Sequence, residues 1–264
     1  MVETVIRAAG EWLGIKADVD DAKKLLAHLR ETYGSESPEI IKRAFSTGEA
    51  AEFLTVNETY FFREPVHFTF LLDLLPSYES GLHICCAAVA TGCEAYSIAM
   101  LIEAYNRLAE KPVPYHIDAF DVCPGMIEAA CRGLYGANSL REDGSSLRYM
   151  AAPYLKKQEN GFQADHSLKN SISFFVHNLM NKLPEKAYDL IFFRNTFIYF
   201  TAPGRERVLS NLSESLKDAG ILIMGVSETA SVCHKNLEAK NRSDIFYFQK
   251  TSSVYLTKTY NGLV

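Results

Sequence analysis

Apolar positions along this chain follow two rhythms. Up to about residue 50 they recur every three or four positions: Val5, Ile6, Ala9, Trp12 and Leu13, then Leu25, Leu26 and Leu29, then Ile40, Ile41 and Phe45. That spacing predicts three amphipathic helices: one over 3–13, one capped by Asp20 and ending near Gly34, and one opening near Pro38 and stopped at Gly48. A further helix is expected between Pro65 and Pro76, carrying Phe68, Leu71, Leu72 and Leu75. From residue 82 the rhythm changes. Short apolar runs at 82–86, 115–120, 172–176, 188–193 and 221–226 alternate with helical stretches at 94–109, after Pro124, and from Pro203 to Lys217. Strand and helix in alternation predict an α/β protein, doubly wound around a mostly parallel sheet. Residues 135–170 are irregular and suggest a hairpin around Glu159–Gly161. The runs at 245–249 and 254–260 suggest a terminal antiparallel hairpin.

The pattern divides the chain into an N-terminal helical domain (1–50), a linker and helix (51–80) and a large domain (81–264) with a small excursion at about 138–170. With 264 residues, 48% of them hydrophobic, the chain can bury one large core and a small one. A net charge of −5 gives no overall attraction to nucleic acid or anionic lipid. No apolar run reaches the roughly eighteen residues of a membrane span, and residues 1–15 lack the pattern of a secretory signal. The six cysteines, at 85, 86, 93, 123, 131 and 233, form no CxxC pair, and the histidines complete no metal-ligand spacing. Reduced, mostly buried thiols in a cytoplasmic protein are the simplest expectation.

Candidate chemistry gathers where strands end. In GLHICCAAVATGCEAYSIAM, from Gly81, a strand feeds a helix through small residues. Such a turn leaves backbone amides free for a nucleotide-like ligand, although an ordinary β–α connection reads the same way. It has neither GxxxxGK[ST] nor GxGxxG. Asp121 ends the second strand, where a carboxylate can accept two ribose hydroxyls or cap the next helix. Gly92, Glu94, Asp121, Asn178 and Asn195 all lie at or beyond carboxyl-terminal strand ends, which share one side of an open parallel sheet. Earlier, Asn57, Glu58, Thr59 and Arg63 are set among Tyr60, Phe61 and Phe62. That segment reads either as a domain junction or as a lid whose Arg63 pairs with a carboxylate.

These stretches carry a resemblance. Residues 57–63, NETYFFR, look like the NExTxFFR segment of the bacterial chemotaxis methyltransferases (CheR-type). Residues 89–100 look like that family's CSTGEEPYSIAM loop, 189–200 (DLIFFRNTFIYF) like its DLIxCRNVLIYF strand, and 175–179 like its FxxHNL strand end. The closing GVSE and FYFQK also match in order. The family uses S-adenosylmethionine to methylate glutamate side chains of chemoreceptors. The resemblance therefore implies a seven-stranded Rossmann-like methyltransferase sheet over 81–264, with 51–80 forming one wall of the active site. It implies S-adenosylmethionine as cofactor, S-adenosylhomocysteine as product, and the cytoplasmic region of a chemoreceptor as partner for a monomeric enzyme.

Carried over by motif, Arg63 and Tyr199 are the expected catalytic residues. Asn57, Thr59, Ala90, Thr91, Gly92, Glu94, Asp121, Asn178, Leu179, Asn195 and Thr196 are expected to bind the cofactor. The N-terminal helix with Lys23, Lys24 and Arg30 and the hairpin with Lys156 and Lys157 match places where members of the family contact receptors. At 89–95 the chain departs from the pattern: a hydroxyl, an acid and a proline are replaced by Ala90, Cys93 and Ala95. That departure supports a second reading, a non-catalytic cofactor-sensing or protein-binding module on the same fold. A small-molecule methyltransferase is a third.

Overall fold

The computed structural model describes residues 1–141, 146–242 and 245–251. Helix α1 (Val2–Ala8) widens into a π-type turn, Ala9–Leu13. Helix α2 (Val19–Tyr33) is capped by Asp18 and not Asp20: Asp18 has extended backbone and accepts from the Asp21 amide at 2.8 Å. Asp20 already lies in the first turn, where its backbone is helical and cannot cap. Helices α3 (Pro38–Thr47), α4 (Ala51–Leu54) and α5 (Pro65–Leu74) follow, with proline at the start of α3 and α5 as expected of a residue that lacks the amide hydrogen.

Strands β1 (Leu82–Ala87) and β2 (Tyr115–Asp121) are separated by α6 (Cys93–Asn106), and α7 (Pro124–Arg132) follows β2. A small second sheet comes next. It contains β3 (Leu134–Gly136), β4 (Leu155–Gln158) and β5 (Gly161–Ala164), in the order β3-β5-β4, with the short helix α8 (Leu147–Ala151) between β3 and β4. The hairpin lies where the turn residues pointed, and β3 starts the excursion a few residues before 138. The main sheet resumes with β6 (Ile172–Val176), β7 (Tyr188–Phe193), α9 (Ala202–Ser215), β8 (Leu216–Met224), β9 (Leu237–Arg242) and β10 (Ile245–Lys250).

Seven strands lie in the order β6-β2-β1-β7-β8-β10-β9. The first five are parallel, and β10 runs antiparallel to both β8 and β9. The hairpin partner of β10 is β9, which precedes it, while residues 254–260 lie outside the described residues. The chain passes outward from β1 through β2 to β6 and then returns to β7 on the other side of β1. The strand order reverses there, which opens a crevice at the carboxyl ends of β1 and β7.

Two apolar cores sandwich the sheet. On one face Ile84, Cys86, Ile117, Leu190 and Phe192 pack with α5, α6 and the excursion. On the other, Cys85, Ala87, Phe120, Ile191 and Phe193 share a core with Val5, Leu25, Leu29, Ile41 and Phe45 of the N-terminal helices. Main-chain bonds fix these helices beside the crevice. Ile15 bridges Phe200, the Lys16 amide donates to the Tyr199 carbonyl at 2.8 Å, and the Thr201 amide donates to the Gly14 carbonyl at 2.8 Å. Among the described residues, no helix is long and apolar enough to cross a membrane.

Candidate active site

Two adjoining cavities fill the crevice and share a wall of Val56, Ala88, Ala90 and Thr196. The larger, about 650 Å³, is walled by apolar Leu13, Ile15, Leu54 and Phe120 and by Asn57, Asp121, Asn178, Leu179 and Tyr199. The smaller, about 480 Å³, collects Glu58, Thr59, Arg63, Glu94, Arg194 and Asn195. Arg63 and Tyr199 therefore line different cavities on either side of a common wall. Thr91 and Gly92 line neither. The Thr91 carbonyl accepts from the Tyr135 hydroxyl at 2.7 Å, on the side of the excursion. Gly92 has φ 87° as the cap of α6, and a Cβ there would lie 2.9 Å from the Ala130 Cβ. Its role is to let α6 start close against α7.

Backbone strain concentrates here. Glu64, Ala88, Ala90 and Asn195 have φ between 49° and 60°, a region that side chains other than glycine seldom enter unless their surroundings hold them there. The restraints are specific. The Ala90 amide donates to Asp121 Oδ2 at 2.9 Å, and the Asn195 amide to Glu228 Oε2 at 2.7 Å.

Asp121 is buried, with its Oδ1 taking the Cys123 amide at 3.0 Å. The cap residue of α7 is Cys123, so Asp121 closes the turn before the helix and is not its cap. Burial raises the Asp121 pKa, and the amides of Cys123, Ala90 and Val122 oppose the rise. A carboxylate has about four acceptor positions, so two main-chain bonds leave capacity for ligand hydroxyls. Asn178 holds the adjacent wall by donating from Nδ2 to the Trp12 carbonyl at 2.7 Å and accepting the Met180 amide at 2.9 Å.

The smaller cavity is built around Arg194, whose side chain is 2% exposed at the end of β7. Nε donates to His67 Nδ1 at 2.9 Å, Nη1 to Glu94 Oε2 at 2.9 Å, and Nη2 to Glu64 Oε2 at 3.1 Å and to the Arg63 carbonyl. Glu64 also accepts from Asn195 Nδ2 at 3.1 Å and from the Val226 amide at 3.3 Å. Burial acts to raise the Glu64 pKa, but the Arg194 guanidinium and the Asn195 side-chain amide hold it below the usual carboxylate range. Glu94 is raised by burial against the pull of Arg194. Burial lowers the pKa of His67, which is consistent with a neutral ring accepting from Arg194 at Nδ1. Glu228, fully buried, takes the amides of Asn195, Gly225 and Ile198, and so ties the ends of β7 and β8 together. Cys93 is 1% exposed, and burial pushes its thiol up to about 12, so it is neutral at physiological pH.

Glu64, His67, Arg194 and Glu228 were not among the residues expected from the sequence. Arg194 had a signal: a cation at the end of the apolar run LIFF must find buried partners. Its partners are about a hundred or more residues away, and no local pattern names them.

An open parallel sheet with a crevice at its switch point, an acid closing the second strand and no phosphate loop defines a Rossmann-like protein for a nucleoside-type cofactor. Comparison with known proteins narrows this. Residues 57–246 match the family described as CheR methyltransferase, SAM binding domain. The chain is 33% identical over 202 residues to the chemotaxis protein methyltransferase of Borreliella burgdorferi, covering 72% of this chain and 70% of that protein. It is 31% identical over 202 residues to the chemotaxis protein methyltransferase of Listeria monocytogenes, covering 75% and 74%. A third relative, "Probable biofilm formation methyltransferase WspC" of Pseudomonas aeruginosa, is 33% identical over 211 residues; the match covers 76% of this chain but 48% of that longer protein. Among solved structures, N-methyltransferase NodS from Bradyrhizobium japonicum in complex with S-adenosyl-L-homocysteine is similar over 72% of this chain and 88% of that one, at 14% identity and a TM-score of 0.43. That likeness is too distant to speak to function. The chain belongs to the CheR methyltransferase family, and residues 57–246 contain its S-adenosylmethionine-binding domain.

Proposed function

We propose that this chain transfers the methyl group of S-adenosylmethionine to a glutamate carboxylate in the cytoplasmic region of a chemoreceptor or similar signalling protein, leaving S-adenosylhomocysteine. The observation that carries this reading is the pair of cavities behind one wall: an apolar one beside Asp121, and a polar one that presents Arg63. The residues present fit the cofactor. Asp121 retains acceptor capacity for ribose hydroxyls, and Asn178 and Leu179 border an apolar slot for the base. Glu64 and Glu94 both pair with the Arg194 guanidinium, which leaves Arg63 as the cation the smaller cavity presents. Asn57, Thr59, Ala90, Asn195 and Thr196 complete the walls.

Once bound, S-adenosylmethionine supplies a methyl group already activated by its sulfonium. The acceptor glutamate is ionised at neutral pH, so no general base is required of the chain. What remains is orientation and exclusion of water. Arg63 Nη1 donates to the Glu58 carbonyl at 3.0 Å, which steadies its planar fork to hold a carboxylate. Tyr199 closes the opposite side of the common wall.

Calorimetric titration with S-adenosylhomocysteine is expected to show saturable binding, and a labelled methyl group should pass to a receptor cytoplasmic fragment in base-labile form. Absence of binding at millimolar ligand would sink the reading. Arg63→Ala should lower turnover roughly a hundredfold, the scale of removing one preorganised donor, while changing ligand affinity by no more than a few-fold. Equal loss of both would remove Arg63 from the transfer step.

A further inference from the structure

The rim of the smaller cavity carries a second cation that the proposed transfer does not use. Tyr60 and Arg63 line this cavity. Arg141, from the excursion, reaches the same ring: its Cζ lies 4.0 Å from the centre of Tyr60, and that of Arg63 lies 5.7 Å away. The two segments are joined through the main chain, since the Phe61 amide donates to the Ser139 carbonyl at 2.8 Å. Phe61 also packs edge-on against Tyr135 of β3, with ring centres 4.8 Å apart. Arg141 is therefore presented to the rim by a fixed backbone.

Among the described residues, the carboxylate that pairs with Arg141 is Glu58, at 2.8 Å. Arg63 meets Glu58 through its main-chain carbonyl. The Arg141 and Glu58 side chains are 49% and 60% exposed. Exposed pairs of this kind are easily exchanged for another partner. An arriving carboxylate can thus replace Glu58 on Arg141 at little cost.

We infer that Arg141 is an acceptor-recognition residue, binding a second carboxylate that lies about one helical turn from the one held by Arg63. This rests on the methyltransferase reading above. Side chains three or four residues apart on a helix stand roughly 5–6 Å from each other, and two guanidinium carbons 4.0 and 5.7 Å from one ring centre lie no more than about 9.7 Å apart, so both are within reach of one helical turn. Each fork can take a carboxylate by two parallel bonds. A cation on the acceptor at the same place meets like charge and is rejected.

The test uses the full chain, labelled S-adenosylmethionine and three alanine-based helical peptides. One carries a single glutamate, one a second glutamate one turn away, and one a lysine at that second position. The wild-type chain is expected to methylate the two-acid peptide with kcat/KM roughly tenfold above the single-acid peptide, mainly through KM, and the lysine peptide least. Arg141→Glu should reverse that order while S-adenosylhomocysteine affinity, read by calorimetry, stays unchanged. Arg141→Lys should keep the order with a smaller ratio. The same ranking in wild type and Arg141→Glu overturns the inference. So does a chain that binds the cofactor product yet labels none of the peptides. Failure of the wild-type chain to bind S-adenosylhomocysteine overturns instead the methyltransferase reading beneath it.

Discussion

Asp121 and Glu64 are carboxylates on two halves of one crevice, and their surroundings push them in opposite directions. Asp121, in the larger half, is raised by burial because its partners are main-chain amides, which offset only part of the lost hydration. Glu64, in the smaller half, is also penalised by burial, yet it is held below the usual carboxylate range because a buried guanidinium and a side-chain amide converge on it. The first half uses the backbone to shape a slot and leaves its charge available to a ligand. The second uses charges to hold one another, and draws the 63–67 segment onto the end of β7. On the proposed function, binding of the cofactor and assembly of the site fall to different carboxylates.

The sharpest way to break this contrast is to remove the centre of the second half. Arg194→Met leaves Glu64 and Glu94 buried without a counter-charge and is expected to cost about 3–5 kcal/mol in chemical denaturation. Adding Glu64→Gln and Glu94→Gln should recover part of that loss; a single variant as stable as wild type would mean the network is not structural. In the first half, Asp121→Ala should weaken S-adenosylhomocysteine binding by about 1–3 kcal/mol in calorimetry. Unchanged affinity would reduce Asp121 to a holder of its turn.

A glycine that borders neither cavity gives the control. Gly92→Ala forces a side chain into left-handed backbone and onto Ala130, and should destabilise by about 1–2 kcal/mol with ligand affinity preserved in the folded fraction. The smallest effect is one of pH. Burial keeps His67 neutral in the folded chain, whereas the unfolded chain takes up a proton near pH ~6.5. Stability from this group is full above that value and falls as pH drops toward the lower folded value. Between about pH 7.5 and 5.5, wild-type melting temperature should fall more steeply than that of His67→Asn, whose side chain stays neutral. Parallel slopes would assign the proton uptake to another group.

The same contrast explains what could be read in advance. That Glu94, Asp121, Asn178 and Asn195 line one crevice was legible because parallel strands place their carboxyl ends on one side, and a short apolar run shows where each strand stops; Gly92, read the same way, lines neither cavity. The β4–β5 hairpin was legible through its turn residues. Two strands were not read correctly. β9 spells LEAKNR, a polar edge strand without alternation, as edges often are. The helix expected to reach Lys217 stops at Ser215, and β8 begins at Leu216 and not at 221, because Lys217, Asp218 and Gly220 interrupt the apolar pattern that marks a strand. The N-terminal helices were legible as helices, but their period does not reveal that they share a core with the sheet. The Glu64–Arg194 pair, 130 positions apart, exists through tertiary folding alone.

Glu228 gives the crevice a mechanical asymmetry. A carboxylate gripping amides from Gly225, Asn195 and Ile198 acts as a rivet through the β7–β8 rim, which makes that rim the fixed jaw of the site. The opposing jaw contains residues 56–60, which belong to no helix or strand, with Val56 61% exposed at the wall between the cavities. The β7–β8 rim is therefore expected to protect its amides from hydrogen exchange longer than residues 56–60 do.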